Sequence, residues 1–157
     1  MRKRIINPVK KQNVYSEQNW LDIEKLAVAE VTSEDDAYPI ESALMPGNDS
    51  GWRASSPGEQ MIRLLFDSPQ RLQCIRLHFE ELDVERTQEY VLRWSADDGY
   101  SYMEIIRQQW NFSPEGTSTE IEDYHVDLPA VKILELSINP DISGKKVFAS
   151  LAELRLA

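Results

Sequence analysis

Apolar and polar residues alternate along most of the chain after residue 26. In the segment 75–80, for example, three apolar residues alternate with an arginine, a histidine and a glutamate. Strict alternation over about four to eight residues is typical of a β-strand with one buried face. Further runs of this kind lie at 26–31, 61–66, 89–94, 103–109, 120–128, 131–138 and 151–156. The pattern predicts an all-β chain.

Short segments rich in Gly, Pro, Asn, Asp and Ser separate these runs. They lie at 46–51, 55–58, 67–69, 97–99, 113–116, 139–141 and 143–144. Turns of this length leave no room for the crossover helices that parallel strands need, so we expect antiparallel pairing. An antiparallel β-sandwich, wired as a jelly roll, would bury the apolar faces of the strands.

One segment shows the spacing of a helix. Between residues 16 and 26, Trp20, Ile23 and Leu26 fall on one face, and Ser16 stands where an N-cap is expected. The sequence therefore predicts one short helix ahead of the first strand. A basic arm, residues 1–15, precedes a single domain over 16–157.

Charge is distributed unevenly along the 157 residues. Residues 1–11 hold five cations and no acid, whereas the other residues hold 12 cations and 27 acids. An acidic body of this kind repels phosphate backbones, so we expect no nucleic-acid partner. The basic arm is interpreted either as a flexible terminus that aids solubility or as a segment that docks on an acidic partner or on its own acidic body.

The cellular setting follows from the cysteine count and from the missing targeting signals. Cys74 is the only cysteine, and residues 12–19 contain no apolar stretch that could complete a secretory signal. We therefore expect a reducing, cytoplasmic environment. The sequence contains no run of about 18 apolar residues, so it predicts no membrane span.

Four segments, in order along the chain, resemble the discoidin family, also called the coagulation-factor type C domain, of the galactose-binding-domain-like fold. They are 38–44 with 51–55, 59–79, 90–102 and 149–155. The third is the most specific, since its Tyr-Val-Leu-Arg-Trp-Ser-Ala-Asp-Asp-Gly run resembles the family's central strand and hairpin, with Tyr102 in place of the usual tryptophan. The resemblance spans roughly residues 26–157 and implies a β-sandwich.

This resemblance implies a binding module without catalytic activity, often for sugars and sometimes for lipid head groups, collagen or other proteins. The residue content also indicates a protein without catalytic activity, because His78 and His125 are the only histidines and the sequence contains no catalytic motif. Two functions stay open: binding of a carbohydrate or similar small polar ligand at the loop end of the sandwich, or a protein-interaction scaffold inside the cell. Of these two functions we favour carbohydrate binding.

Aromatic residues supply the candidate binding platform. Trp110 and Phe112 flank Asn111 just before the turn at 113–116, so we expect them to crown an exposed loop, with packing on the sandwich edge as the alternative. By contrast, Tyr90 and Trp94 fall on the inner face of a strand and are expected in the core.

Three further residues complete the predicted site. Trp52 follows a turn cluster, and it either packs beneath the loop or lines the ligand pocket. Arg53 and Tyr38 are its expected polar partners. An aromatic stacks on the apolar face of a sugar ring, while charged and polar groups pair with its hydroxyls.

The resemblance also raises a structural calcium ion, which many relatives hold with an acidic loop and a glutamate near the C-terminus. Glu153 matches the glutamate, but Met45 and Pro46 stand where the family has Asp-Gly. Asn48 and Asp49 could supply oxygen ligands. The alternative is an ordinary turn with a salt bridge or hydrogen bond from Glu153, and apart from this ion we expect no cofactor.

Overall fold

The structure is a computed structural model that describes residues 19–47 and 50–157. Within these residues the chain forms two short helices and eight strands. In chain order they are α1 (Ile23–Leu26), β1 (Ala27–Val31), α2 (Glu41–Leu44), β2 (Trp52–Arg53), β3 (Gln60–Glu80), β4 (Arg86–Ser95), β5 (Met103–Phe112), β6 (Thr119–Asn139), β7 (Ser150–Leu151) and β8 (Glu153–Leu156).

All strand pairs are antiparallel. The large sheet has the order β1-β3-β6-β4-β5, with β8 paired to β3, and β2 forms a small separate ribbon with β7. The first part of β3 pairs with β1 and with the end of β6, whereas its second part pairs with β8 and with the start of β6. The long β3–β6 pair therefore contributes to both layers of an antiparallel sandwich, and the predicted fold class is confirmed.

Alternation along the strands places the core between the two layers. Tyr90 of β4 packs on Phe79 of β3 with ring centroids 4.9 Å apart, and both are fully buried. Leu77 and Leu92 on the same faces are buried as well, as the period of two predicts. Tyr90 is thus a core residue, whereas Trp94 is only partly buried against the core.

The turn predicted at 67–69 is wrong, because these residues lie within β3. The two runs at 120–128 and 131–138 likewise form the single strand β6, although Pro129 separates them. Both prolines, Pro69 and Pro129, lie near the shifts of register between Leu65 and Cys74 of β3. Proline is tolerated at such irregular positions, because the ladder there does not need its missing N–H group.

The first helix is shorter than the sequence predicts. The Leu21 backbone N–H donates to the carbonyl of Leu156 at 2.7 Å, so the chain pairs with β8 before α1 begins. Ile23 of α1 is buried, but Ser16 and the basic arm lie outside the described residues. Of the two helices in the described chain, neither is long and apolar enough to cross a membrane.

The predicted hairpin at 97–99 joins β4 to β5. Asp98 and Gly99 have φ angles of 60° and 91°, which is the left-handed backbone of a tight hairpin turn. The Asp97 carboxylate accepts hydrogen bonds from the Ser101 hydroxyl and backbone N–H and from the Ser95 hydroxyl. These bonds, the Ser101 hydroxyl first, lower the pKa of Asp97 to about 2.

Candidate ligand-binding pocket

A cavity of about 380 Å³ opens where β3 ends and β4 begins, beside the small β2–β7 ribbon. One wall is formed by the ribbon and the segment before β7, and the other by the β3–β4 loop, residues 81–85. Its lining includes Tyr38, Trp52, Arg53, Glu80, Glu81, Leu82, Asp83, Val84, Lys146, Phe148 and Ser150. We call this cavity the loop-end pocket.

Alternation along the ribbon decides which side chains reach the pocket. Trp52 points into the core and is 1% exposed, so the next residue, Arg53, points to the solvent side. Arg53 pairs with Ser150 across the ribbon. Phe148 precedes Ser150 by two residues and is 46% exposed, whereas Ala149 between them is fully buried.

Gly51 allows the two strands of the ribbon to approach each other. Its φ is +69°, and a Cβ atom built on it would stand 2.7 Å from the Leu151 carbonyl oxygen and 2.9 Å from Ala152 Cα. Both neighbours are backbone atoms, so they cannot yield as a flexible side chain would. Glycine is therefore required here for the ribbon that carries Arg53.

Arg53 is held in place by Tyr38. Its guanidinium carbon lies 4.9 Å from the centroid of the Tyr38 ring, in the geometry of a cation–π contact. The backbone fixes the same pair, because the Arg53 N–H donates to the Tyr38 carbonyl at 3.1 Å. Among the residues that the structure describes, no carboxylate lies within 4.0 Å of the guanidinium nitrogens.

The opposite wall combines apolar side chains with an acid that is already paired. Leu82 and Val84 are 68% and 38% exposed. The Glu81 carboxylate accepts a hydrogen bond of 2.7 Å from Nε of the buried Arg86. Burial would by itself raise the pKa of Glu81, but hydrogen bonds from the Arg86 side chain and from backbone N–H groups such as that of Asp83, together with the charge of Arg86, outweigh burial and lower the pKa.

The pocket therefore offers three kinds of contact side by side. Phe148 presents an aromatic ring that is almost half exposed, and Leu82 and Val84 add apolar surface. Arg53 and Lys146 present donors with positive charge. An aromatic surface next to ionic donors suits a ligand that has both an apolar face and polar or charged edges.

Three of the six predicted binding residues line this pocket: Tyr38, Trp52 and Arg53. Trp52 forms its buried floor, since the indole Nε1 donates to the Ser33 carbonyl at 3.1 Å. Trp52 therefore packs beneath the loop and, from there, contributes to the floor of the pocket.

Trp110 and Phe112 do not crown an exposed loop, and the alternative, packing at the edge of the sandwich, is observed instead. Both residues and Asn111 between them lie in β5, and none of the three lines the loop-end pocket. Phe112 is fully buried beneath the Arg86 guanidinium, and Trp110 packs against the core. The reason is pairing at long range: β5 continues to residue 112 because its last residues are opposite β4 at Arg86 and Gln88. Asn111 is exposed, and its side-chain oxygen accepts a hydrogen bond of 2.9 Å from the Thr87 hydroxyl.

Sequence reasoning missed Phe148, although a signal was present. Val147, Ala149 and Leu151 occupy one phase of an alternating run, and Phe148 stands in the other phase among Lys146 and Ser150. Although this segment precedes β7 and is not itself a strand, an aromatic residue in the polar phase of an extended alternating run is directed to the surface. The missed residues of the other wall, Leu82 to Val84, have no comparable local pattern.

The predicted calcium ligands are only partly visible. Asn48 and Asp49 lie outside the described residues. Glu153 has a carboxylate oxygen 3.5 Å from Arg155 Nε, which matches the salt bridge expected as the alternative. Within residues 19–47 and 50–157, no group of three or more His, Cys, Asp or Glu side chains is placed to hold a metal ion.

The two histidines lie in strands, as predicted, and neither lines the pocket. His78 belongs to β3 and has Nε2 3.1 Å from a carboxylate oxygen of Glu80. His125 belongs to β6, where it is exposed and stands opposite Cys74.

No family model matches the sequence, and no match was found among the curated proteins. Solved structures do match. The family 32 carbohydrate-binding module of C. perfringens NanJ, in complex with galactose, is 18% identical with a TM-score of 0.63, covering 87% of this chain and 96% of that one. A pectin-binding module is 14% identical with a TM-score of 0.61, covering 83% and 89%.

A third structure is the family 32 module of AlyQ in complex with 4,5-unsaturated mannuronic acid. It is 14% identical with a TM-score of 0.61, covering 84% of this chain and 95% of that chain. At such identities the likeness concerns the fold. It confirms the predicted sandwich and the resemblance in fold to galactose-binding-like domains.

Proposed function

We propose that the chain is a non-catalytic module that binds carbohydrate in the loop-end pocket. The observation that carries this proposal is the position of Phe148: an aromatic side chain that is 46% exposed lines the same cavity as Arg53, whose donors have no carboxylate partner among the described residues. What distinguishes Phe148 from other exposed apolar residues is that it lines a concave cavity together with Leu82, Val84 and Arg53.

The chemistry of a sugar matches this arrangement. A pyranose ring has a C–H face that stacks on an aromatic ring, and its hydroxyl groups need hydrogen-bond partners once they are desolvated. Arg53, Lys146 and Ser150 surround Phe148 with such partners. The cavity of about 380 Å³ falls within the range of roughly 300–1,000 Å³ that is common for small-molecule sites.

The neighbours in fold support the proposal. The similar sandwiches include modules solved with galactose and with 4,5-unsaturated mannuronic acid, and one described as pectin-binding. The absence of a catalytic motif from the sequence, noted above, supports a binding role over an enzymatic one.

A glycan array probed with the purified chain tests this function, followed by calorimetric titration of the best glycan. Phe148→Ala should weaken binding by about tenfold or more while the melting temperature stays nearly unchanged, because the ring is exposed. Tyr100 provides the matched control: it is 92% exposed and does not line the pocket. Tyr100→Ala should keep full affinity.

Two results would contradict the proposal. One is an array on which no glycan binds. The other is a glycan whose affinity survives Phe148→Ala, because such a ligand must bind elsewhere. In the first case a protein partner, the alternative left open by the sequence, would become the better hypothesis.

A further inference from the structure

In the loop-end pocket the acidic and the basic side chains differ in whether a partner of opposite charge lies nearby. The Glu81 carboxylate is engaged by Arg86 at 2.7 Å, and Glu80 lies 3.1 Å from the His78 ring nitrogen. In contrast, neither Arg53 nor Lys146 has a carboxylate within 4.0 Å in the part of the chain that the structure describes. The pocket thus contains two cations whose counter-charge is not supplied by these residues.

Arg53 is also preorganised. The Tyr38 ring stacks on its guanidinium at 4.9 Å, and backbone hydrogen bonds tie Arg53 to Tyr38 and to Asp35. A guanidinium presents two parallel N–H groups that match the two oxygens of a carboxylate. Because the side chain is already restrained, less conformational entropy is lost when this pair forms.

Phe148 belongs to the segment that leads into β7, between Lys146 and the residue that pairs with Arg53. Lys146 precedes Phe148 by two residues, and Ser150, the partner of Arg53 in the β2–β7 register, follows it by two. All of them line the pocket. A ring stacked on Phe148 therefore lies in a cavity that both cations line.

We propose that the saccharide bound in this pocket is acidic, with Arg53 pairing with a ring carboxylate while Phe148 stacks on the ring. The ligand class is that of the uronic acids. This inference rests on the proposed function and adds the charge of the ligand to it. Two pocket acids have no arginine or lysine within 4.0 Å among the described residues, Glu80 at the end of β3 and Asp83 in the β3–β4 loop, so the ligand carboxylate should be directed toward Arg53 and away from that wall.

The energetic reason is the strength of a charged pair. Hydrogen bonds between an arginine and a carboxylate are roughly twice as strong as those between neutral groups. A neutral sugar would offer Arg53 only hydroxyl oxygens. Since the pair is partly exposed to solvent, salt should weaken it.

The test compares acidic saccharides with neutral forms of the same sugars. Trisaccharides of galacturonic, glucuronic and mannuronic acid are titrated into the full chain by calorimetry, each beside its methyl ester. At least one acid should bind about tenfold or more tightly than its ester, and this preference should shrink as salt is raised. Arg53→Gln should abolish the preference, and Arg53→Lys should restore only part of it.

Arg71→Gln is the matched control, because Arg71 is an exposed arginine that pairs with Asp127 and does not line the pocket. It should keep the preference. Equal affinity for acid and ester, or a preference that survives Arg53→Gln, would overturn the inference. If neutral glycans bind through Phe148 and the uronates show no advantage, the proposed function stands and this inference fails. If no saccharide binds, both fail.

Discussion

Arginines on the outer face of the large sheet contrast with the arginine of the loop-end pocket. One row of side chains crosses five neighbouring strands in the order Glu30, Arg63, Glu135, Arg93 and Glu104, each opposite the next in register. At its centre Glu135 is 1% exposed and pairs with both arginines, with 2.9 Å to Arg63. We call these five residues the charged row.

In the pocket the chain supplies the cations but, within the described residues, no acid that pairs with them. Arg53 stacks on Tyr38 much as Arg93 lies over Tyr102, at 4.9 and 5.1 Å. The difference is the carboxylate: Arg93 has Glu135, and Arg53 has none within 4.0 Å among the residues described. The arginines of the charged row have their counter-charge within the chain, whereas under the proposed function the counter-charge of Arg53 comes from a ligand.

Removing the central acid of the charged row should have the largest effect on stability. Glu135→Ala leaves Arg63 and Arg93 without their shared partner at a buried site. Because the two arginines are 33% and 40% exposed, solvent reduces the penalty, and we expect a loss of about 2–3 kcal/mol in the free energy of unfolding. Urea denaturation measures it. A loss below about 0.5 kcal/mol would show that the row is only a surface network.

A buried acid without a partner extends the comparison. Glu120 is 1% exposed, and its carboxylate oxygens have no hydrogen-bond partner among the described residues. Burial first, and then the charge of Glu122, raise its pKa to about 7, and Tyr90 and Tyr124 are the other titratable groups that interact with it. In the folded state Glu120 therefore keeps its proton at pH values where the unfolded chain has lost it.

The sign of the resulting pH dependence follows from proton binding. Between about pH 4.5 and 7 the folded state binds more protons at Glu120, so this residue's contribution to stability falls as pH rises and is constant above that window. Glu120→Gln should raise stability at pH 8 by about 2 kcal/mol and remove this slope. Denaturation curves at pH 5 and pH 8 for both proteins provide the measurement. An unchanged slope in the variant would contradict the assignment.

The ribbon that carries Arg53 can be broken without touching any charge. Gly51→Ala places a Cβ atom 2.7 Å from the Leu151 carbonyl oxygen and requires a non-glycine residue at φ +69°. We expect a loss of about 1–3 kcal/mol in stability together with weaker saccharide binding. Gly144→Ala is the control, since it has a similar φ of +85° but no heavy atom within 4 Å of the added Cβ. If both variants lose the same amount of stability, the loss at Gly51 comes from backbone strain at positive φ and not from the contact between the added Cβ atom and the Leu151 carbonyl.

The smallest stability effect is expected at Arg53 itself. Arg53→Gln removes a side chain without a carboxylate partner in the described structure, so the melting temperature should stay within about 2 °C of the parent. Thermal denaturation in parallel with Glu135→Ala makes the contrast direct. A drop at Arg53 as large as the drop at Glu135 would remove the distinction between the two regions.

Strand positions could be predicted from the sequence because alternation is a local signal. The faces of β3 and β4 that carry Leu77, Phe79 and Tyr90 follow from it, and the local Asp-Asp-Gly turn signal predicts the hairpin at 97–99. The end of β5 could not be predicted, since it depends on pairing with Arg86 and Gln88 of β4. For that reason the sequence predicts an exposed loop at Trp110, whereas the residue lies in β5 and packs against the core.

The pocket was predictable only in part for a similar reason. Tyr38, Trp52 and Arg53 lie close together in sequence, and they were predicted together. Phe148 joins them through the pairing of Arg53 with Ser150, residues far apart in the chain. Its phase in the alternating run marks it as a surface residue, but which cavity it lines depends on this long-range register.

An amide NMR titration with the best-binding saccharide tests the central claim most directly, because it locates the ligand on the folded protein. If the ligand binds in the loop-end pocket, the largest changes in chemical shift will occur at Arg53, Phe148, Ser150 and the β3–β4 loop, and the indole signal of Trp110 will not move. If the shift changes are instead centred on β5 and the ribbon is unaffected, the ligand does not bind in the loop-end pocket. The binding site would then lie on β5, the strand that contains Trp110.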